Sequence, residues 1–159
     1  MKITVAAIGR QKAGPETELV KRFVARAQAV GRGVGLNIVL KELPESRAPQ
    51  AAARQNAEAK GLLGAIPSGA ALVVLDERGE GLTSAEFAAL IGRLRDAGQR
   101  DLALLIGGPD GLAQSIKQKA RYVLSFGPMT LPHQLVRVLV AEQLYRVATI
   151  LAGHPYHRP

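Results

Sequence analysis

The chain has no cysteine and no tryptophan among its 159 residues, and only three tyrosines and three phenylalanines. Without cysteine there are no disulfides, no thiolate nucleophile and none of the common thiolate zinc frameworks, and a reducing compartment suits such a chain. Long apolar runs are also missing. The best candidate, residues 135–151, is interrupted by Arg137, Glu142, Gln143 and Arg146, whereas a membrane span needs about 20 apolar residues. The first ten residues carry one lysine and too short an apolar run for a signal peptide, and they read as an opening strand. A cytoplasmic protein with no membrane association is therefore expected.

Several common site chemistries are absent as well. The three histidines, His133, His154 and His157, have no carboxylate at metal-ligand spacing, and Pro155 discourages a helical pair of the last two, so no metal is expected. Gly9 and Gly14 have the spacing of a phosphate loop, but Pro15-Glu16 stands where Lys-Ser/Thr is required. No Gly-x-Gly-x-x-Gly follows a strand, and no serine sits in a nucleophile elbow.

What is present is an ordinary globular composition, 47% hydrophobic and 21% charged, with twenty-five alanines suited to tight helix packing. The length fits one domain over residues 1–159. The formal charge of +8 is unevenly spread. Residues 1–60 hold 11 Lys and Arg against 5 acids, residues 61–116 hold 4 against 7, and residues 117–159 hold 6 against 1. Basic ends of this kind attract polyanions and form a common nucleic-acid footprint, although a solubilising surface gives the same count. Such charge supplies salt-dependent affinity and not sequence choice.

Apolar runs alternate with helical patterns along the whole chain. Strands are predicted at 2–8, 36–43, 70–75, 102–106 and 122–126. Helices are predicted at about 15–30, 49–63, 84–97, 112–120 and 132–152. Pro15 suits a first helical turn, and Thr83-Ser84-Ala85-Glu86 matches a capping box. Residues 76–81 read as a polar loop. This alternation predicts an α/β fold, a mainly parallel sheet flanked by helices. In such sheets ligands sit beyond the carboxyl ends of the strands, which singles out Leu75-Asp76, Ile106-Gly107 and Phe126-Gly127. The run Gly107-Gly108-Pro109-Asp110-Gly111 either is a plain tight turn or lets backbone approach a flat ligand. The loop from Phe126 to His133, stiffened by Pro128 and Pro132, is either a buried crossing or a dry surface suited to an adenine ring.

Longer stretches carry a resemblance. They are Leu75-Asp76-x-Arg78-Gly79 with Leu82-Thr83-Ser84-x-Glu86-Phe87, then Leu104 to Leu112, then Leu124-Ser125-Phe126. Thr130-Leu131-Pro132-His133-Gln134-Leu135-Val136-Arg137-Val138-Leu139 follows, with Glu142-Gln143-Leu144-Tyr145-Arg146 and the closing His154-Pro155-Tyr156-His157-Arg158. From end to end the chain resembles the ribosomal RNA large-subunit methyltransferase H family, part of the SPOUT superfamily. The resemblance implies a C-terminal trefoil knot, a homodimer built on the long last helix, and methyl transfer from S-adenosylmethionine to N3 of a pseudouridine in 23S rRNA of the assembled ribosome. It implies cofactor contacts at Leu75, Gly107, Phe126, Gly127, Pro128, Met129, Thr130 and Leu131, which coincide with the three strand ends chosen above. It also points to the tail. His157 is the candidate proton acceptor, Tyr156 a stacking group, and His154 and Arg158 candidate RNA contacts, with Tyr156, His157 and Arg158 forming the catalytic set. His133 is expected to order the loop. Arg137 and Arg146 are expected either to face phosphate or to pair with Glu142. Two rival readings use the same residues: a non-catalytic RNA-binding protein, and a SPOUT enzyme acting on a ribose 2′-oxygen or a guanine nitrogen.

Overall fold

The computed structural model describes residues 1–156. In it the alternating pattern becomes β1 (Lys2–Ile8), α1 (Pro15–Gly31), a 3-10 turn (Arg32–Val34), β2 (Asn37–Leu43), α2 (Ala51–Ala65), β3 (Ala71–Gly81), α3 (Ser84–Asp96), β4 (Asp101–Ile106), α4 (Gln114–Lys119), β5 (Tyr122–Ser125) and α5 (His133–Leu151). The strands form one sheet in the order β2-β1-β4-β3-β5. Every pairing is parallel, so all five carboxyl ends lie along one edge.

Strand chemistry explains the order. Leu102, Ala103, Leu104, Leu105 and Ile106 of β4 are all buried, as expected for a central strand with helices over both faces. The edge strand β2 carries the polar side chains of Asn37, Lys41 and Glu42. Alternate residues of β1 divide between the two faces. Ile3, Val5 and Ala7 join a core with buried residues of α1, α3 and α5. Ala6 and Ile8 join a second core with Leu62 of α2 and Ile116 of α4. The predicted capping box is present: the Glu86 amide donates to the Thr83 hydroxyl (3.2 Å), and the Thr83 amide donates to the Glu86 carboxylate (2.8 Å).

One predicted element differs. The segment expected to be a polar loop after β3 remains part of that strand. Leu75 and Glu80 both lie opposite Leu124, so residues 76–79 bulge outward before the strand rejoins β5. Gly79 makes this possible, because a Cβ there would lie 2.5 Å from the Leu124 carbonyl carbon. The bulge stands at the carboxyl edge of the sheet and forms one wall of the site.

Candidate active site

Three chain segments meet beyond β3, β4 and β5 around a cleft of about 420 Å³. Leu75 and the bulge from Asp76 to Arg78 form one side, the turn from Gly107 to Leu112 another, and the loop from Phe126 to Leu131 a third; His133 and Val136 at the start of α5 close it. Of the eight residues expected to hold a cofactor, Leu75, Gly107, Phe126, Gly127, Met129, Thr130 and Leu131 line this cleft, and Pro128 does not. The loop is not a buried crossing: Phe126 is 41% exposed and Met129 77%.

The glycine turn is both a tight turn and a wall of the cleft. The Gly111 amide donates to the Gly108 carbonyl (2.9 Å), with Pro109 at the second turn position and Gly111 at φ +77°. A Cβ on Gly107 would lie 2.8 Å from the Gly111 carbonyl carbon, and one on Gly108 would lie 2.9 Å from Ile8. Only glycine fits at either position. From behind, α2 clamps the turn: Arg54 makes two bonds to the Asp110 carboxylate (2.6 and 3.0 Å), and the Gln55 amide donates to the Asp110 carbonyl (2.6 Å). The Arg54 guanidinium holds the Asp110 carboxyl below its usual range, and Asp110 in turn raises Arg54.

The bulge and the last loop are tied to each other. The Ser125 hydroxyl accepts from the Gly127 amide (2.9 Å) and donates to the Gly127 or Glu77 carbonyl, at 2.8 and 3.2 Å. The Thr130 hydroxyl donates to the Glu77 carboxylate (3.3 Å). Within the cleft Asp76 is ion-paired with Lys117 and accepts from the Arg78 amide (3.0 Å). Burial opposes ionisation of Asp76, but the Lys117 ammonium and the Arg78 amide outweigh it and keep the carboxyl below its usual value.

Arg137 differs from its expected role. It is 1% exposed and faces inward from α5. Its guanidinium donates to Glu42 (3.0 Å) and to the carbonyls of Ile8 and Gly9, the latter at 2.7 Å. It therefore fastens the first turns of α5 to the end of β1, and its partner is Glu42 instead of phosphate or Glu142. Burial pushes this guanidinium below its usual value, and Glu42 and Glu45 push it back up. Sequence reasoning missed this role; an arginine in the middle of an apolar helical stripe was the available signal. Arg146 does pair with Glu142 (2.6 Å).

His154 and Tyr156 are placed elsewhere. Tyr156 packs on Tyr145 of α5, ring centroids 4.5 Å apart. The Arg146 guanidinium lies 5.0 Å from its ring centre, and its hydroxyl lies 3.4 Å from Glu142. The His154 amide donates to Thr149 (2.8 Å). Neither Tyr156 nor His154 lines the cleft of its own chain. His157 and Arg158 lie outside the described residues. Among the described residues, no group of three or more His, Cys, Asp or Glu is arranged to hold a metal, and no helix is long and apolar enough to cross a membrane.

A family model described as predicted SPOUT methyltransferase matches residues 1–157. The chain belongs to the SPOUT methyltransferase family. Among its SPOUT relatives, the ribosomal RNA large subunit methyltransferase H of Methylocella silvestris is 53% identical over 159 residues, covering 99% of each chain. The protein of the same name from Brucella anthropi is 52% identical with the same coverage. The solved structure of a probable methylase family protein from Haemophilus influenzae Rd KW20 shares the fold at a TM-score of 0.51 and 17% identity, covering 99% of this chain and 70% of that one.

Proposed function

We propose that this SPOUT enzyme methylates N3 of a pseudouridine in 23S rRNA on the assembled ribosome, in the cytoplasm, with S-adenosylmethionine as donor. The observation that carries this reading is the convergence of three strand ends on one cleft, with seven of the eight expected donor contacts lining it. The residues present fit the donor. The volume suits a small cofactor, the exposed apolar side chains of Phe126 and Met129 suit a flat ring, and the Glu77 carboxylate, in no salt bridge among the described residues, suits a cationic ligand. S-adenosylmethionine, when bound, supplies a methyl group already activated by its sulfonium.

The protein's own work is then alignment and proton removal. Gly107 and the loop from Phe126 to Leu131 hold the donor so that N3 meets the methyl carbon in line, which is catalysis by proximity and orientation. As the N3–carbon bond forms, the carbon–sulfur bond to the donor breaks and leaves a neutral thioether; the N3 proton must also leave, and His157 in the tail would accept it. Tyr156 stacks on RNA, and His154 and Arg158 hold its polar groups. Because α5 spans about 28 Å at 1.5 Å per residue, and Tyr156 lies against its own α5 away from the cleft, the tail serves the cleft of a second subunit. A homodimer is further supported by Leu135 and Leu139, exposed one turn apart on α5.

The test is methyl incorporation into intact ribosomes and into deproteinised 23S rRNA, with the methylated nucleotide mapped. The reading expects N3-methylpseudouridine and a strong preference for ribosomes. A methyl group on a ribose 2′-oxygen or a guanine nitrogen would assign a different target. A protein that binds RNA but shows no calorimetric heat with S-adenosylmethionine would be a non-catalytic binder.

A further inference from the structure

Beside the cleft, over the carboxyl ends of β1 and β2, lies a second basin of about 490 Å³ lined by Gly9, Arg10, Pro44, Glu45, Ser46 and Arg47. We propose that this basin grips the phosphates of the RNA strand flanking the target nucleotide, through Arg10, Arg47 and the neighbouring Lys12. The proposal rests on the rRNA methyltransferase reading and adds to it the face that the RNA crosses.

Position comes first. β1 pairs directly with β4, so the basin is one strand away from the cleft, roughly 5–10 Å at the usual strand spacing. A strand that presents one base to the donor in the cleft finds its adjoining path over this edge of the sheet.

Charge comes second. Arg10, Lys12 and Arg47 are exposed, and among the described residues none of them is in a salt bridge. Of the acids nearby, Glu42 and Glu58 are engaged, Glu58 accepting from the Ser46 amide (2.9 Å), while Glu45 is exposed and in no salt bridge among the described residues. Glu42 accepts from Arg137 (3.0 Å) and from the Gln11 amide (3.3 Å). Glu45 and Arg137 converge on Gly9, whose missing Cβ would lie 2.9 Å from a Glu45 oxygen and 3.2 Å from an Arg137 nitrogen. Arg137 therefore neutralises Glu42, and three cations against the single carboxylate of Glu45 set a positive sign at the rim. Gly9, at φ +90°, makes the turn that brings the Arg10–Lys12 loop over the basin. Cations with no aromatic side chain among the lining residues to stack a base suit a sugar–phosphate backbone, contacts to which fix register without reading bases.

The test compares wild type, the triple variant Arg10→Gln/Lys12→Gln/Arg47→Gln, and Arg93→Gln, an exposed charge near the far end of α3. Each is assayed for methyl transfer to ribosomes over a range of salt, and for S-adenosylmethionine binding by calorimetry. The triple variant should bind the donor as wild type does and keep kcat within about twofold. Its KM for ribosomes should rise about tenfold or more, and its salt slope should flatten by about 2 to 3 as phosphate contacts are lost. Arg93→Gln should match wild type. An unchanged KM in the triple variant would overturn the proposal. So would a raised KM with an unchanged salt slope, because the cations would then be meeting protein or bases. If wild type itself transfers no methyl to ribosomes, the underlying reading fails first, which separates the two failures.

Discussion

Replacing Gly107 with alanine adds one methyl group inside the glycine turn that walls the cleft. That Cβ would lie 2.8 Å from the Gly111 carbonyl carbon, 3.0 Å from the Leu112 nitrogen and 3.1 Å from the Gly111 oxygen. All three are backbone atoms, and the turn is pinned by the Gly108–Gly111 bond and by Arg54 on Asp110, so no flexible side chain can yield. Overpacking of this kind costs about 1–3 kcal/mol, or a Tm lower by about 2–10 °C for a chain of this size. The turn must also move into or away from the donor's position, and a misfit of about 1.4 kcal/mol weakens binding about tenfold. Gly81→Ala is the matched control, because nothing lies within 4 Å of its added Cβ. Thermal melts and calorimetry with S-adenosylmethionine read both effects. Wild-type affinity in Gly107→Ala, or equal damage in Gly81→Ala, would refute the reasoning.

Three further predictions follow from the same geometry. Arg137→Met removes the buried guanidinium from the Glu42 carboxylate and the Ile8 and Gly9 carbonyls and frees the start of α5 from the end of β1; because Glu42 itself reaches solvent, a loss of about 1–3 kcal/mol is expected in urea unfolding, and an unchanged stability would contradict the anchoring role. Because the Asp76 carboxyl is held below its usual value, its contribution is present above the unfolded value of about 4 and lost as pH falls through the folded one. The Tm gap between wild type and Asp76→Asn should thus be open near pH 6 and close toward about pH 3; a gap that stays constant on acidification would exclude this account. Truncation after Gly153 should spare donor binding, since His154 and Tyr156 lie off the cleft of their own chain, but should abolish turnover on ribosomes. Undiminished turnover would remove the tail from the mechanism.

The parts of the fold legible in the sequence are those set by local pattern. β4 is visible because five apolar residues stand together before Gly107, and such a run fits only a strand covered on both faces. The ends at Ile106 and Phe126 were recognisable because each apolar run stops at a glycine, and the position after Leu75 because the apolar run gives way to charge at Asp76. The second section of β3 was not legible. Asp76, Glu77 and Arg78 carry no strand signal, and their path depends on Gly79 meeting Leu124, a contact made after the sheet is assembled. Arg137 was hidden likewise, because its carboxylate partner is 95 residues away. The clamp of Arg54 on Asp110 joins residues 56 apart. A knot is a property of the path of the whole chain and leaves no local pattern at all.

The most direct test of the central claim is a crystal structure of the protein with S-adenosylmethionine bound. The account predicts the donor's adenine between the turn at Gly107 and the loop from Phe126 to Leu131, with Leu75 against it. The contradicting result would be a donor lodged away from these three strand ends, for example in the basin over β1 and β2 lined by Gly9, Pro44 and Ser46.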